Sequence, residues 1–136
     1  MSWATESASR GVNARILVVE DEYLVATDLA DRLTEAGYQV TGIAATAEDA
    51  LTLAAAERPD LAIMDIRLAS RRDGIDAAIE LNRRYGLRCI FATAHLDAET
   101  RKRAAPAAPL GWLAKPYGAF SLLRLVQTAL NELKKH

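Results

Sequence analysis

Short apolar runs alternate with amphipathic segments along most of this sequence. Residues 16–19 and 61–64 contain no polar side chain, which is typical of strands covered on both faces of a sheet. Residues 39–44, 88–92 and 110–114 are also strand-like. Because strands and helices that alternate through short links build a parallel sheet with helices on both faces, the sequence predicts a doubly wound five-stranded α/β domain.

Helix signals fill the intervals between these runs. In residues 22–36 the apolar residues Val25, Leu29 and Leu33 recur every four positions, and Gly37 follows where a left-handed residue ends many helices. Four further helices are predicted: from Thr46 to before Pro59, from Asp73 to Gly86, over residues 97–104, which Pro106 and Pro109 keep short, and from Gly118 to Leu133.

Length and composition favour one domain without a nucleic-acid or membrane partner. The chain has 136 residues, 51% of them hydrophobic, and a formal net charge of -1, so it supports one core and creates no strong field. We expect a flexible polar tail over residues 1–13, one domain over residues 14–136, and no second domain. No run could serve as a secretory signal or span a bilayer, and the single cysteine, Cys89, excludes an internal disulfide. These features predict a cytoplasmic protein.

Polar side chains occur where four of the apolar runs end. Glu20 and Asp21 follow the first predicted strand, Asp65 the third, Thr93 the fourth and Lys115 the fifth. The carboxyl ends of parallel strands meet at one edge of the sheet, so we expect these side chains to share a pocket. Carboxylates crowded in this way require a cation. Oxygen ligands, without paired cysteines or clustered histidines, favour Mg²⁺ over zinc.

This constellation resembles the receiver domain of two-component response regulators. The resemblance covers roughly residues 15–133 and rests on the order, spacing and strand-end placement of Glu20-Asp21, Asp65, Thr93 and Lys115-Pro116. It implies a flavodoxin-like sheet of order 2-1-3-4-5 with a crevice between strands one and three. It also implies a single-domain response regulator that is phosphorylated by a histidine kinase or histidine phosphotransfer protein. Such a protein either acts on an unidentified downstream protein by contact or drains phosphate from a shared kinase, and the sequence leaves both open.

The resemblance assigns a chemical role to each residue of the pocket. Asp65 is the expected phosphoacceptor, and Lys115 and Thr93 are expected to contact phosphoryl oxygens. By the same resemblance, Asp21 and Asp65 bind Mg²⁺ directly, Glu20 acts through water, and the backbone carbonyl of Arg67 supplies another ligand.

A second set of residues is expected to transmit the signal. Thr93 moves on phosphorylation in the family, and the aromatic residue three positions before the lysine, here Trp112, changes rotamer. The expected output surface is the face formed by helix four, strand five and helix five. The bond between Lys115 and Pro116 is expected to be cis.

Two short sequence motifs resemble those of particular receiver subfamilies. Asp65-Ile66-Arg67-Leu68, followed by Asp73-Gly74-Ile75-Asp76-Ala77-Ala78, looks like receivers attached to general-stress anti-sigma regulators. Phe91-Ala92-Thr93-Ala94-His95 is similar to a phrase of some stand-alone receivers, with Ala94 in place of a glycine.

Two other functions stay open on the sequence alone. One is a small hydrolase of aspartyl-phosphate type, although Arg67 occupies the position where such enzymes place a second Asp. The other is a binding module of receiver fold that works without phosphorylation. We expect no enzymatic activity beyond self-phosphorylation and autodephosphorylation. His95 is expected to be a surface residue, and Arg101-Lys102-Arg103 a solvated helix face.

Overall fold

Five parallel strands form one sheet in the computed structural model of the chain, which describes residues 13–68 and 71–135. The strands are β1 (Arg15–Val19), β2 (Gln39–Ala44), β3 (Leu61–Asp65), β4 (Cys89–Thr93) and β5 (Gly111–Ala114). Their order is β2-β1-β3-β4-β5 with all neighbours parallel, which confirms the predicted topology. Because β1 lies between β2 and β3, the chain reverses its direction of winding there and leaves a crevice beyond β1 and β3.

Four α-helices connect successive strands of the described chain: α1 (Tyr23–Glu35), α2 (Ala47–Glu57), α3 (Gly74–Tyr85) and α4 (Ala98–Ala104), which continues into a 3₁₀ turn (Ala105–Ala107). A fifth helix, α5 (Ala119–Lys134), follows β5. The predicted caps are confirmed at Thr46, whose side chain accepts from the Asp49 N–H, and at Asp73, which forms a reciprocal capping box with Asp76. Arg58, just before Pro59, ends α2 with a φ of 49°, because a residue before proline is disfavoured in the right-handed helical region.

Alternate side chains of the strands fill two separate cores. Val19, Met64 and Phe91 point to the face covered by α2, α3 and α4, whereas Val18 and Ile63 point to the face covered by α1 and α5. The central strands are buried along their whole length, as the unbroken apolar runs predicted. This double coverage leaves the strand ends as the place where polar groups gather.

Differences from the sequence expectations are small and lie at the ends of elements. β4 and β5 each begin one residue later than predicted, at Cys89 and Gly111. Arg88 precedes β4, and its Nε donates to the Ala108 carbonyl at 2.7 Å, which ties β4 to the turn before β5. The tail predicted for residues 1–13 lies outside the described residues except for Asn13. Among the described helices, none is both long and apolar enough to span a membrane.

Candidate functional site

The polar residues at the strand ends converge on one cleft. Glu20 and Asp21 follow β1, Asp65 is the last residue of β3, Thr93 is the last residue of β4, and Lys115 follows β5. A cavity of about 400 Å³ opens beside them. Its walls are Asp21, Glu22, Asp65, Ile66, Arg67, Thr93, Ala94, His95 and Lys115.

Two of the three carboxylates are buried. Glu20 is 4% and Asp65 7% exposed, whereas Asp21 is exposed to solvent. Each of the three offers an oxygen, and these oxygens all lie within 4.8 Å of one another. Oε2 of Glu20 accepts the backbone N–H of Glu22 at 3.1 Å, so the turn from β1 into α1 fixes its orientation.

Lys115 supplies the positive charge that faces these carboxylates. Its Nζ lies 3.1 Å from Oε1 of Glu20 and 3.4 Å from Oδ1 of Asp65. The peptide bond between Lys115 and Pro116 is cis. Because three carboxylates face one ammonium, the fully ionised cluster carries a net charge of about -2.

Protonation of the cluster reflects this excess of negative charge. Burial and the neighbouring Glu20 carboxylate raise the pKa of Asp65 to about 6, against the opposing effect of Lys115. Burial also disfavours the ionised Glu20, but hydrogen bonds from the Glu22 backbone and Lys115 outweigh it and lower the pKa of Glu20. The two carboxylates in turn raise the pKa of Lys115, although burial acts in the opposite direction. Lys115 is therefore protonated at neutral pH.

The donor set fits a hard divalent cation. The cluster offers oxygen atoms only, its excess charge of about -2 matches one divalent ion, and the exposed Asp21 leaves room for water ligands. The backbone N–H of Arg67 donates to Oδ1 of Asp65 at 3.4 Å, so the Arg67 backbone lies next to this carboxylate.

Thr93 is in the cleft, but its hydroxyl is engaged within its own loop. Thr93 is 8% exposed. Its Oγ1 accepts the backbone N–H of His95 at 3.1 Å and donates to the His95 carbonyl at 3.3 Å. The His95 residue is exposed and forms part of the cleft wall.

Trp112 lies on β5, away from the cleft. Its ring stacks on Phe91 of β4, with ring centroids 4.9 Å apart, and the guanidinium of Arg101 lies 5.4 Å from the Trp112 ring centroid. Trp112 also borders a groove of about 660 Å³ between β5 and α5, which Phe120 and Arg124 line on the helix side. Phe120 is 76% exposed. The structure thus places Trp112 on the face predicted for output.

Sequence reasoning missed two residues that make contacts at the start of α3, next to the backbone of Asp65. Gly74 begins α3 in direct contact with the Asp65 backbone, and Arg103 of α4 forms ion pairs with Asp73 and Asp76. The spacing of Asp73 and Asp76 could have indicated the capping box. The partnership with Arg103 depends on the packing of α4 against α3, and nothing in the local sequence signals it.

Comparisons with known proteins agree with this architecture. A family model described as "Response regulator receiver domain" matches residues 16–127. PdtaR, a transcriptional regulatory protein of Mycobacterium tuberculosis, is 35% identical over 135 residues. The phyllosphere-induced regulator PhyR of Methylorubrum extorquens is 34% identical over 117 residues. The alignments cover 99% and 85% of this chain but only 65% of PdtaR and 43% of PhyR.

Solved structures show the same likeness. The signal receiver domain of a modulated diguanylate cyclase from Desulfovibrio desulfuricans has a TM-score of 0.82 and 38% identity, and the match covers 90% of this chain and 97% of that one. A CheY-like receiver domain protein from Methanospirillum hungatei has a TM-score of 0.83 and 28% identity, with 90% and 98% covered. The chain therefore belongs to the response regulator receiver domain family of two-component systems.

Proposed function

We propose that Asp65 accepts a phosphoryl group from a phosphohistidine on a histidine kinase or histidine phosphotransfer protein. The observation that carries this proposal is the position of Asp65: a buried carboxylate at the end of β3, 3.4 Å from the Lys115 ammonium, on the wall of a solvent-accessible cleft. A carboxylate there is held in place but open to an incoming phosphate, and the ammonium is ready to meet the anion.

In the proposed step, an Asp65 oxygen forms a bond to phosphorus as the bond from phosphorus to the donor imidazole nitrogen breaks. The electron pair of that bond leaves on the imidazole, which is neutral after the transfer because its other ring nitrogen already carries a proton in the phosphohistidine donor. Lys115 then exchanges its contact with the free carboxylate for one with a phosphoryl oxygen. The Thr93 hydroxyl donates to another phosphoryl oxygen and gives up the His95 carbonyl.

Asp21 and Asp65 would hold Mg²⁺ directly, with Glu20 acting through water and the Arg67 carbonyl as a further ligand. Bound there, Mg²⁺ neutralises the charge of the carboxylates and of the incoming phosphate. Glu20 suits an indirect role, because its two oxygens already contact Lys115 and the Glu22 backbone.

The proposed output is a change in the α4–β5–α5 face that a downstream protein recognises. Thr93 and Trp112 lie on neighbouring strands, and Phe91 of β4 pairs with Trp112 of β5. Movement of Thr93 toward a phosphoryl group would therefore disturb the strand on which Trp112 packs. Arg101, above the Trp112 ring, ties the same aromatic to α4.

Labelling of the protein by a small radioactive acyl phosphate tests the acceptor assignment. We expect Mg²⁺-dependent labelling of the wild type that hydroxylamine removes, as it removes an acyl phosphate, and no labelling of Asp65→Asn. Asp60→Asn is the matched control, because Asp60 precedes the same strand at its opposite end and contacts the Arg15 backbone. Labelling that persists in Asp65→Asn would contradict the assignment. Phosphate release far beyond one equivalent from added phosphomonoesters would favour the hydrolase alternative instead.

Stabilisation by Mg²⁺ tests the metal assignment without any phosphodonor. A cation that binds only the folded state raises the thermal midpoint, and we expect a rise of a few degrees in the wild type. Asp21→Asn should remove most of that rise. The control Asp31→Asn alters an exposed carboxylate on α1, outside the cluster, and should keep it. An equal rise in both variants would show that Mg²⁺ binds elsewhere.

A further inference from the structure

Helix α4 has little apolar anchorage. It contains seven residues, and only Ala104 is buried. Isolated helices of this length are marginal in water, so packing and polar contacts must position α4. Polar contacts at the end of such a helix therefore contribute strongly to fixing its position.

One of these contacts is a fork from Arg103 to the start of α3. Nη1 of Arg103 lies 2.8 Å from Oδ2 of Asp73, and Nη2 lies 3.3 Å from Oδ1 of Asp76. Asp73 and Asp76 are the two halves of the α3 capping box. Burial opposes ionisation of Asp73, but Arg103 and backbone N–H groups outweigh it and hold the pKa of Asp73 below its usual value. Arg103 thus pairs with charged groups that already organise the helix end.

Gly74 lies between the capping residues Asp73 and Asp76 and the end of β3. Its backbone N–H donates to the Ile66 carbonyl at 2.6 Å. A Cβ added to Gly74 would collide with the Asp65 carbonyl oxygen and lie 2.8 Å from Cα of Ile66. Gly74, the first residue of α3, is therefore in van der Waals contact with the backbone of Asp65 and Ile66, and no space remains for a side chain between them.

We propose that Arg103 is a positioning residue for the acceptor loop, by which we mean the backbone of residues 66–68 after Asp65: from α4 it fixes the Asp73–Asp76 cap, and through Gly74 it fixes Ile66. Coupling between two sites is reciprocal, so a change at the acceptor loop also alters how firmly α4 is held. Arg101, on the same helix, reaches Trp112. The link thus extends from the acceptor loop to the proposed output face by a route separate from Thr93.

Hydrogen exchange of the Gly74 amide, measured by NMR in metal-free protein, tests the link. We expect Arg103→Gln to speed this exchange by about three- to tenfold. The effect is modest because both ion pairs that the substitution removes are partly exposed to solvent. The amide of Ile63, in the middle of β3, reports global stability and should change less. Lys102→Gln is the matched control, because it removes the same charge from the neighbouring exposed position of α4.

A Gly74 exchange rate that is unchanged by Arg103→Gln, or that rises by the same factor as the Ile63 rate, would overturn the proposal. Arg103→Lys should give an intermediate rate, because lysine keeps the charge but cannot contact both carboxylates with a planar fork. A rate for Lys102→Gln equal to that for Arg103→Gln would show that net charge, and not the fork, sets the exchange.

The affinity for Mg²⁺ provides the second test, and this part rests on the proposed function. We expect Arg103→Gln to weaken Mg²⁺ binding by about two- to fivefold, because a displaced acceptor loop holds its ligands less well. Lys102→Gln should bind as the wild type does. Equal affinities in all three proteins would overturn the link, whereas failure of the wild type to bind Mg²⁺ would refute the proposed metal site and leave the Gly74 exchange result standing.

Discussion

The side-chain hydroxyl of Thr93 is held on both sides by the backbone of His95, at 3.1 Å and 3.3 Å. The residue at the end of β4 thus closes a small turn at the start of the loop into α4. A phosphoryl oxygen at Asp65 would compete with the His95 carbonyl for the Thr93 proton. Because a hydrogen bond to a charged oxygen is stronger than one to a neutral carbonyl, we expect the phosphoryl group to prevail.

Replacement of Thr93 should separate phosphorylation from its consequence. We expect Thr93→Ala to bind the phosphoryl mimic beryllium fluoride but to show less than about half of the wild-type change in Trp112 fluorescence, because the hydroxyl donor is lost. Thr93→Ser keeps the donor and should respond more fully. The measurement requires a Trp3→Phe background, in which Trp112 is the remaining indole. An undiminished response of Thr93→Ala would exclude the hydroxyl as the trigger.

The stability of the protein should depend on the ionisation of Asp65. Because the pKa of Asp65 is raised to about 6 in the folded protein, from an ordinary value of 3.8, the folded state holds this proton more tightly than the unfolded state does. Stability is therefore lost as pH rises from about 3.8 through about 6. In metal-free protein at pH 7.5, we expect Asp65→Asn to be more stable than the wild type by about 1–3 kcal/mol.

Urea unfolding with a chelator present, repeated across pH, measures this effect. The stability difference between Asp65→Asn and the wild type should shrink as the pH falls toward 3.8. At that pH residue 65 is uncharged in the folded state of both proteins. A variant that is less stable than the wild type at pH 7.5, or a difference that grows on acidification, would refute the raised pKa.

Gly74 should tolerate no side chain. A Cβ at this position meets the backbone of Asp65 and Ile66 rather than a flexible side chain, so we expect Gly74→Ala to cost at least about 2 kcal/mol in unfolding free energy. Gly118→Ala is the control, since nothing lies within 4 Å of its added Cβ; it should cost less than about 1 kcal/mol. Similar losses in both variants, measured by chemical unfolding, would contradict the close approach.

Asp73 combines a helix cap with an ion pair, and Asp73→Ser separates the two. Serine keeps an oxygen for the Asp76 N–H but loses the charge that faces Arg103. We expect a loss of about 0.5–1 kcal/mol at pH 7. Because the pKa of Asp73 is lowered in the folded protein, its contribution is present above 3.8 and is lost as pH falls through the folded value. If the difference in unfolding free energy between Asp73→Ser and the wild type stays constant as the pH is lowered, the loss comes from the helix cap alone.

The strands, the helix caps and the polar residues of the cleft could be predicted because each has a local signal, whereas the strand order was implied only by the family resemblance. Unbroken apolar runs marked β1 and β3, and the polar residue after each run marked its carboxyl end. Chain topology then brought Asp65 and Lys115 together, although neither predicts the other in its local sequence.

The contacts of α4 could not be predicted in the same way. Arg101 and Arg103 are exposed, as expected, but each also has a particular partner on another element. A basic run carries no information on which carboxylate or ring it will meet, because that depends on how a short helix packs. The hydrogen bonds of the Thr93 hydroxyl could not be predicted either, because its partners are backbone groups of His95, which no side-chain pattern indicates.

Chemical mapping of the phosphoryl group tests the central claim most directly. Borohydride reduces an aspartyl phosphate to homoserine, which mass spectrometry locates in the sequence. After treatment with an acyl phosphate and Mg²⁺, we expect homoserine at position 65 and nowhere else, and none when Mg²⁺ is chelated. Homoserine at position 21, or phosphorylated protein in which residue 65 is still aspartate, would contradict the assignment of Asp65 as the acceptor.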